Sequence, residues 1–576
     1  MTFRPRINED TWRMLWPWLP LWMLLAFAAS FAHGPVPLFS TRTLAVAWDM
    51  WVHGQWIVPH LNGMPYSEKA PLLFWLIHAG WAVFGVNDIW PRVLEVAFGA
   101  SELVIATLLA KRLFPERPWV ARATPWMLAA LVYAFFFDLQ IMYDVLLAVW
   151  ALGALLCLTP RADRAEPRWL LFGICIGLGL LTKGPVLLVH VLFPWLLGPL
   201  WSDYARTHHA RWYGRGALGL LLGLAMLAAW IIPAVDLGGP AYRHRLLFTQ
   251  TAARVANGVK HAMPLQSHSQ PFWWYLTHAP IMLFPFFFWP RAWAAVGALR
   301  RPLAGGLRFC LCWLVPALIV FSAISGKQLY YPLPEFAGTM LLIAGAIAVL
   351  RERHAKLAST AWLGTWPLGV GGIGVGIFLF MLPWLVDSGR IHGLWVDTAA
   401  PVSRYVSVVF LVLGLLLLLR GRGEMRRLAV AGLFSAFAIS VLFTLALWPR
   451  YNLTPTSILL GHAQTQGIAI GYAGNYDGQF SFAGRLKHPI SELRSPAAID
   501  QFAQRHPDGL IVTHPDKLMP QARRYAVLIQ PFRSSWTVTW PAQALADIES
   551  GHTPAEPSQP PRIIDPDHPG RYRAQR

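Results

Sequence analysis

Residues that could bind or transform an anionic substrate gather in a few short stretches of this sequence. The stretch WIVPHLNGMPYSEKAPLLFW contains Tyr66, Glu68 and Lys69. A lysine can stabilise a phosphate that gains charge as it leaves, and a carboxylate can act as a base or as a metal ligand. The alternative explanation for Glu68 and Lys69 is an interfacial anchor with a solvated ion pair.

A second stretch, FFFDLQIMYDVLL, places Asp138 and Asp144 on either side of a predicted helical hairpin. We expect these carboxylates to order neighbouring helices or to orient a substrate. The dipole at a helix N-terminus also favours an acidic side chain, which is the alternative explanation for Asp144. Basic residues in the loop 236–271, Arg254 among them, could attract an anionic acceptor or contact lipid headgroups.

The composition indicates which kind of element positions these side chains. Of the 576 residues, 55% are hydrophobic and only 13% are charged, and there are 30 Trp and 32 Phe. So little charge excludes a soluble enzyme, a disordered scaffold and a disulfide-built secreted module. All four cysteines fall inside apolar runs, which leaves no disulfide framework or metal-thiolate spacing outside a membrane.

The net charge of +19 follows from membrane topology. Lys and Arg cluster in alternate loops, which is typical of cytoplasmic loops, so we expect no nucleic-acid partner. We expect the first apolar run to be a retained helix, since Pro17, Pro20 and three Trp suit an interfacial helix start better than a cleaved signal. About thirteen runs are long enough to span a bilayer: 16–32, 90–110, 120–137, 142–158, 169–182, 186–200, 216–235, 272–290, 307–325, 334–350, 361–386, 403–419 and 428–447.

The same pattern predicts three parts. Residues 1–447 form a transmembrane domain, 448–550 a small external α/β domain, and 551–576 a disordered, proline-rich tail. An odd number of spans with the N-terminus inside puts the C-terminus outside. The external loop 33–89 contains two predicted interfacial helices, near 41–53 and 71–85.

Four ordered motifs carry a resemblance to a known family. The stretch GQWIVPHLNGMPYSEKAPLLFWL resembles the G-D-W-I-V-P-x-L-N-G-x-x-Y-x-E-K-P-P motif of the membrane glycosyltransferases that transfer aminoarabinose to lipid A, and the similarity continues at LGLLTKGPV, HSQPFWWYL and GKQLYYPLPEF. These enzymes belong to the C-type superfamily, which includes the protein O-mannosyltransferases. The resemblance implies an all-α polytopic membrane protein of about thirteen transmembrane helices with a small external α/β C-terminal domain.

The resemblance also implies an activity and a set of site residues. The activity is transfer of a sugar from a polyprenyl-phosphate donor to a lipid A-like lipid, or to another cell-envelope acceptor, at the periplasmic face of the inner membrane. Glu68 and His268 match residues that hold a divalent metal, Zn or a similar cation. Snorkelling to lipid headgroups is the alternative explanation for two of the cations, Arg42 and Lys327. The other matching or neighbouring candidates, catalytic or substrate-binding, are Arg42, Tyr66, Lys69, Asp138, Asp144, Lys183, Lys327 and Tyr331.

One departure from the family pattern affects the catalytic group. Phe39 and Ser40 stand where the family usually has Asp-Glu before the matched Arg42. Asp49 follows Arg42 by about two helical turns, so it is a candidate replacement for the missing carboxylate. A phosphate acceptor would need no base.

Two other functions remain open. The missing Asp-Glu pair is compatible with a silent homologue that acts as a binding protein. A transporter of lipid-linked sugars would instead show broken helices and ionisable residues distributed through the spans.

Overall fold

Helices form most of this chain, and a small mixed sheet forms near its C-terminal end. The computed structural model describes residues 9–249, 270–300, 302–421, 423–557 and 559–564. Its fold class is the one expected, a helical polytopic membrane protein with a C-terminal α/β part. The chain divides into two compact units: unit 1 comprises 1–31, 67–380 and 405–440, and unit 2 comprises 32–66, 381–404 and 441–576.

The predicted apolar runs all coincide with helical segments. The helices before residue 245 are α1 (Glu9–Leu15), α2 (Trp18–Phe31), α3 (Ser40–Val52), α4 (Leu72–Phe84), α5 (Ile89–Leu113), α6 (Pro118–Ala129), α7 (Val132–Asp138), α8 (Tyr143–Leu158), α9 (Trp169–Lys183), α10 (Val186–Leu196), α11 (Gly198–Trp201), α12 (Asp203–Thr207), α13 (His209–Leu237) and α14 (Gly239–His244). Those after it are α15 (Trp274–Met282), α16 (Pro290–Gly297), α17 (Gly305–Ala323), α18 (Leu333–Arg353), α19 (Ala355–Ala358), α20 (Trp366–Asp387), α21 (Leu394–Leu418), α22 (Glu424–Leu442), α23 (Thr454–Thr465), α24 (Pro496–Arg505), α25 (Ala522–Tyr525) and α26 (Ala542–Glu549).

Seven helices in the described part of the chain are long and apolar enough to cross a membrane. They are α5, α13, α17, α18, α20, α21 and the segment Glu424–Arg450. Helices α6 and α7 pass the same test together, but the chain bends by 66° between them. Shorter apolar helices of 10–17 residues are α2, α4, α8, α9 and α10. The chain is thus an integral membrane protein, and the count of thirteen spans stays a prediction.

The two helices expected in the first external loop are present as α3 and α4. Between them lies a two-stranded hairpin of β1 (His60–Leu61) and β2 (Met64–Pro65). Its turn residues Asn62 and Gly63 have φ values of 55° and 74°, as an Asn-Gly hairpin turn requires. The hairpin is short. It directly precedes Tyr66 and the segment Ser67–Glu68–Lys69, the SEK segment.

The core of unit 1 is built from buried Leu, Ala, Phe and Trp side chains of the membrane helices. Two local features determine where polar side chains leave this core. Gly184 has a φ of 70°, which ends α9 directly after Lys183. Met142 is extended, so α8 begins at Tyr143 and places Asp144 in its first turn. The beginning of α8 and the end of α9 therefore both present ionisable side chains.

Unit 2 contains a six-stranded sheet in the order β4–β3–β5–β7–β6–β8. Its strands are β3 (Ile470–Ala473), β4 (Ser491–Leu493), β5 (Leu510–Thr513), β6 (Leu528–Phe532), β7 (Ser535–Pro541) and β8 (Arg562–Ile563). Strand β3 is parallel to β4 and β5, β7 is antiparallel to β5 and β6, and β8 is parallel to β6. Ile511, Val538 and Trp540 are fully buried in its core.

Four short runs of the sequence, GIAIGYA, GLIVT, AVLIQ and SWTVTW, predict strands, and the run near 496–505 predicts a helix. The structure confirms them as β3, β5, β6, β7 and α24. It also shows a difference from the expectation of a disordered tail. Arg562 and Ile563 pair with Leu528 and Ile529, so the chain rejoins the sheet after the proline-rich segment. Residues 565–576 lie outside the described residues.

Candidate active site

Asp144 and Lys183 form a buried ion pair within unit 1. Asp144 lies in the first turn of α8, and Lys183 is the last residue of α9. The side chains are only 6% and 9% exposed. Two opposite charges that are held together can remain ionised where a single charge would be costly.

Two tyrosines lie beside the same ammonium group. Lys183 Nζ is 4.6 Å from the centroid of the Tyr331 ring and 5.4 Å from that of Tyr330. Aromatic faces attract cations, so these contacts add to the ion pair with Asp144. Tyr331 also packs against Phe321 of α17, at 6.4 Å between ring centroids. The structure thus brings together three predicted site residues: Asp144, Lys183 and Tyr331.

Lys69 is placed next to this group by an aromatic contact. Its Nζ lies 5.7 Å from the ring centroid of Tyr143, which directly precedes Asp144. Tyr143 in turn packs edge-on against Phe74 of α4, at 5.6 Å. Glu68 and Lys69 are both half-buried. The SEK segment of unit 1 therefore presents Lys69 at the start of α8.

Lys327 has a different environment from the other predicted cations. Its side chain is buried, and its Nζ donates to the carbonyl oxygens of Gln270 at 2.9 Å and Ile324 at 2.5 Å. Burial lowers the pKa of Lys327 from its ordinary value. These bonds join the loop before α18 to the start of the 270–282 segment, which is a structural role. Binding of substrate by Lys327 stays a prediction.

Asp138 lies in a row of buried carboxyl groups. Glu95, Gly99 and Glu102 occupy one face of α5, and a Cβ atom at Gly99 would be 3.3 Å from the Cβ of Asp138. Asp138 therefore packs against α5 between Glu95 and Glu102, all three being buried. The two glutamates are not among the predicted site residues, although their position inside an apolar run is a signal for them.

Arg42 of unit 2 forms an ion pair that the sequence did not predict. Its guanidinium Nη2 lies 2.8 Å from Oδ1 of Asp477, on the loop after β3. Arg42 sits at the start of α3, where Phe39 and Ser40 offer no carboxylate. Nothing in the local sequence around residue 477 identifies it as a partner, because the two residues are far apart along the chain.

Asp49 of unit 2 holds the β1–β2 hairpin. Its Oδ2 accepts a hydrogen bond from the backbone N–H of Gly63 at 2.8 Å, and its Oδ1 lies 3.1 Å from Nδ1 of His53. Both carboxylate oxygens thus have structural partners, and a role of Asp49 as a base stays a prediction. Tyr66 is buried at the end of the hairpin, where its N–H donates to the carbonyl of Pro59 at 2.7 Å.

Two predicted site residues, Arg254 and His268, lie outside the described residues. Of the proposed metal ligands, the structure therefore describes Glu68 alone. Among the residues it describes, no group of three or more His, Cys, Asp or Glu could hold a metal ion. The pair Glu68 and His268 thus stays a prediction from the resemblance.

Comparison with known proteins supports the resemblance. A family model for dolichyl-phosphate-mannose-protein mannosyltransferase matches residues 68–232. An undecaprenyl phosphate-alpha-4-amino-4-deoxy-L-arabinose arabinosyl transferase of Edwardsiella ictaluri is 27% identical over 369 residues, which are 61% of this chain and 62% of that protein. A second, from Sodalis glossinidius, is 31% identical over 341 residues, 55% of each chain. The chain spans about three-fifths of the length of the curated relatives it matches.

The fold is also similar to that of a solved membrane protein. The crystal structure of ArnT from Cupriavidus metallidurans bound to undecaprenyl phosphate gives a TM-score of 0.67 at 18% identity, covering 92% of this chain and 98% of that one. The apo structure of the same protein also gives 0.67, at 17% identity. The resemblance predicted from the motifs is confirmed. This chain has the fold of ArnT, and it resembles the aminoarabinose transferases, which are membrane C-type glycosyltransferases.

Proposed function

We propose that this chain is an integral membrane glycosyltransferase that moves a sugar from a polyprenyl-phosphate donor to a lipid A-like lipid or another cell-envelope acceptor. The relatives named above act on undecaprenyl phosphate-linked aminoarabinose, and this chemistry is our first choice of donor. The reaction takes place at the periplasmic face of the inner membrane, among membrane lipids, with residues 448–550 in the periplasm. The alternating basic loops of the sequence support this orientation.

One observation carries the proposal. Lys183 is a buried cation at the end of a membrane helix, held by Asp144 and bordered by the rings of Tyr330 and Tyr331. Because its charge is balanced by a carboxylate, the ammonium can be kept in an apolar environment until an anionic group arrives. A donor phosphate that approaches Lys183 can replace Asp144 as the partner of the ammonium group, or can bind the ammonium group together with Asp144. The aromatic rings can border the sugar.

The reaction breaks the bond between the anomeric carbon and the phosphate oxygen. The acceptor oxygen forms the new bond to the anomeric carbon, and the electron pair of the broken bond stays on the departing polyprenyl phosphate. Lys69 and Lys183 of unit 1 stabilise that growing negative charge. A hydroxyl acceptor loses its proton to a base, whereas an acceptor phosphate is already ionised.

A transporter of lipid-linked sugars is the second candidate, and one observation favours it. The chain bends by 66° between α6 and α7, and Asp138 at the end of α7 faces Glu95 and Glu102 inside the membrane unit. Broken helices and buried carboxyl groups are typical of transporters. A bent helix and buried carboxyl groups can also position the active site of a membrane enzyme. This observation alone therefore does not favour a transporter over a glycosyltransferase.

A transfer assay in detergent separates these functions, because a detergent micelle has no second compartment to receive a transported lipid. We expect the purified chain to convert undecaprenyl phosphate-aminoarabinose and lipid A into glycosylated lipid A and undecaprenyl phosphate. A panel of other undecaprenyl-phosphate sugars and acceptors identifies the preferred pair. A chain that moves the donor across reconstituted vesicles, with no product in detergent for any pair, is a transporter. A chain that binds the donor and does neither is a silent homologue.

A further inference from the structure

Three arginines of unit 1, the arginine group, lie around the C-terminal end of α8. Arg112 belongs to the last turn of α5, Arg161 to the loop between α8 and α9, and Arg168 directly precedes α9. Helix α8 has 16 residues, so its two ends are about 24 Å apart. Asp144 lies at the other end of the helix, and the arginine group is therefore separate from the candidate active site.

Hydrogen bonds to the end of α8 hold two of these arginines in place. Nη1 of Arg112 donates to the carbonyl of Leu156 at 2.8 Å and to the hydroxyl of Thr159 at 3.5 Å. The backbone N–H of Arg168 donates to the carbonyl of Cys157 at 3.0 Å. The thiol of Cys157 is close enough to interact electrostatically with all three arginines. The end of α5, the end of α8 and the start of α9 thus bring the three guanidinium groups together.

The positive charge of the arginine group is poorly balanced by the protein. Arg112 is repelled by Arg168 and, more weakly, by Arg161. The carboxylate nearest to Arg161 is that of Asp163, which is 69% exposed and lies 3.7 Å from Nε of Arg161. Among the residues that the structure describes, Arg112 and Arg168 form no ion pair with a carboxylate, and the buried Nε of Arg168 donates to no acceptor. Like charges held this close repel one another unless an anion compensates them.

The start of α9 indicates what kind of anion fits here. Its first turn contains no acidic residue, so the positive end of the helix dipole adds to the charge of Arg168. Guanidinium groups bind phosphate in bidentate fashion. Leu170 and Leu171, which follow within the same turn, are 68% and 39% exposed. Exposed leucines directly beside the cations suit a molecule that has both a phosphate and acyl chains.

We propose that the arginine group binds the headgroup phosphate of one anionic phospholipid, whose acyl chains pack on Leu170 and Leu171. Arg112 and Arg168 then share one anion, which links α5 and α9 at the end of α8. The alternating basic loops predict that this end is cytoplasmic, and basic pockets between membrane helices on that side bind anionic headgroups. The inference concerns a second ligand and does not depend on sugar transfer.

Native mass spectrometry of the purified, delipidated full-length chain measures this binding. We expect one phosphatidylglycerol molecule to bind more tightly than phosphatidylcholine with the same acyl chains. Arg161→Gln/Arg168→Gln should weaken phosphatidylglycerol binding about thirtyfold, because each basic residue near a headgroup contributes a factor of about five. Arg161→Lys/Arg168→Lys keeps both charges and should retain most of the binding. The thermal midpoint of each variant in detergent reports folding.

A matched control removes the same number of charges elsewhere in unit 1. Arg353→Gln/Arg420→Gln replaces two exposed arginines and should leave phosphatidylglycerol binding unchanged. Equal loss of binding in this control would show that only net charge matters, and it would overturn the proposal. Unchanged binding in a folded Arg161→Gln/Arg168→Gln variant would also overturn it. If that variant does not fold, equal affinities of the unchanged chain for phosphatidylglycerol and phosphatidylcholine decide against the proposal.

Competition with inorganic phosphate at constant ionic strength identifies the source of the anion. We expect excess inorganic phosphate to leave phosphatidylglycerol bound, because inorganic phosphate has no acyl chains to pack on α9. Displacement of the lipid by inorganic phosphate would assign the arginine group to a soluble anion and would contradict a lipid site.

Discussion

Asp144 and Lys183 are ion-pair partners that join the first turn of α8 to the last residue of α9. Each lies at a helix end where its charge is favoured, the carboxylate at an N-terminus and the ammonium at a C-terminus. The pair is buried in unit 1 beside Tyr330 and Tyr331. The arrangement explains how a chain with so few charged residues keeps a cation inside its membrane unit.

The first prediction concerns that pair. Lys183→Met leaves the Asp144 carboxylate buried without its partner, and we expect the unfolding free energy to fall by about 3–5 kcal/mol. The double variant Asp144→Asn/Lys183→Met removes both charges and should recover most of that loss, but transfer should remain low. Thermal unfolding in detergent and the transfer assay measure the two effects. A double variant as unstable as Lys183→Met would show that the charges are not coupled.

Lys69 provides the second prediction. Lys69→Ala removes a cation from beside Tyr143 and should lower transfer by about 10², the effect of losing one preorganised donor at a developing charge. Lys69→Arg keeps the charge and should retain more activity. Lys356→Ala, which changes an exposed lysine of the same unit, is the control. Equal rates for Lys69→Ala and Lys356→Ala would remove Lys69 from the site.

The third prediction separates a structural from a catalytic Asp49. Asp49→Asn keeps an oxygen that can accept from the Gly63 N–H, so we expect near wild-type transfer and stability. Asp49→Ala removes that acceptor and should destabilise the hairpin by about 1 kcal/mol. The kcat of the Asn variant is the deciding measurement: its collapse with unchanged donor binding would make Asp49 the base after all.

The fourth prediction is a pH dependence of the C-terminal part of unit 2. Burial lowers the pKa of His514 to about 4. In the unfolded chain this histidine has its ordinary pKa of about 6.5, so the unfolded chain binds more protons than the folded chain between about pH 4 and about pH 6.5. Stability is therefore lost as the pH falls from about 6.5 to about 4. The free energy of unfolding falls by up to about 3 kcal/mol over this range.

Proteolysis of this part of the chain in urea at pH 7 and pH 5 measures the change. His514→Gln should abolish the difference between the two pH values, because the side chain no longer titrates. His488→Gln, which replaces an exposed histidine of the same unit, should keep it. A difference that persists in His514→Gln would assign the pH dependence to other groups.

Much of the fold could be predicted because its signals are local. Apolar runs predict the positions of the membrane helices. The runs that form β3, β5, β6 and β7 either alternate between apolar and polar residues or are continuously apolar, which predicts strands. The short strands β4 and β8 were missed, since three and two residues carry no periodic signal. The break between α6 and α7 was also missed, because apolar residues continue across it and the run 120–137 has the length of one span.

The site was predictable only in part, for a similar reason. Asp144, Lys183 and Tyr331 come from motifs that the resemblance identified, and the structure brings them together. Asp477 was missed because its partner Arg42 is distant in sequence and the loop carries no motif. Helical spacing places Asp49 on the same face as Arg42 and predicts a chemical role, while its contacts with the adjacent hairpin are visible only in the structure.

Sugar transfer by this chain is measured by mass spectrometry of both products in one reaction. The purified chain is incubated with undecaprenyl phosphate-aminoarabinose and lipid A, alongside Lys69→Ala and Lys356→Ala. We expect lipid A to gain the mass of the sugar while an equal amount of undecaprenyl phosphate is released, and both products to fall together in Lys69→Ala alone. Unchanged donor and acceptor, across the full panel of donor sugars and acceptors, would show that the chain does not transfer sugar.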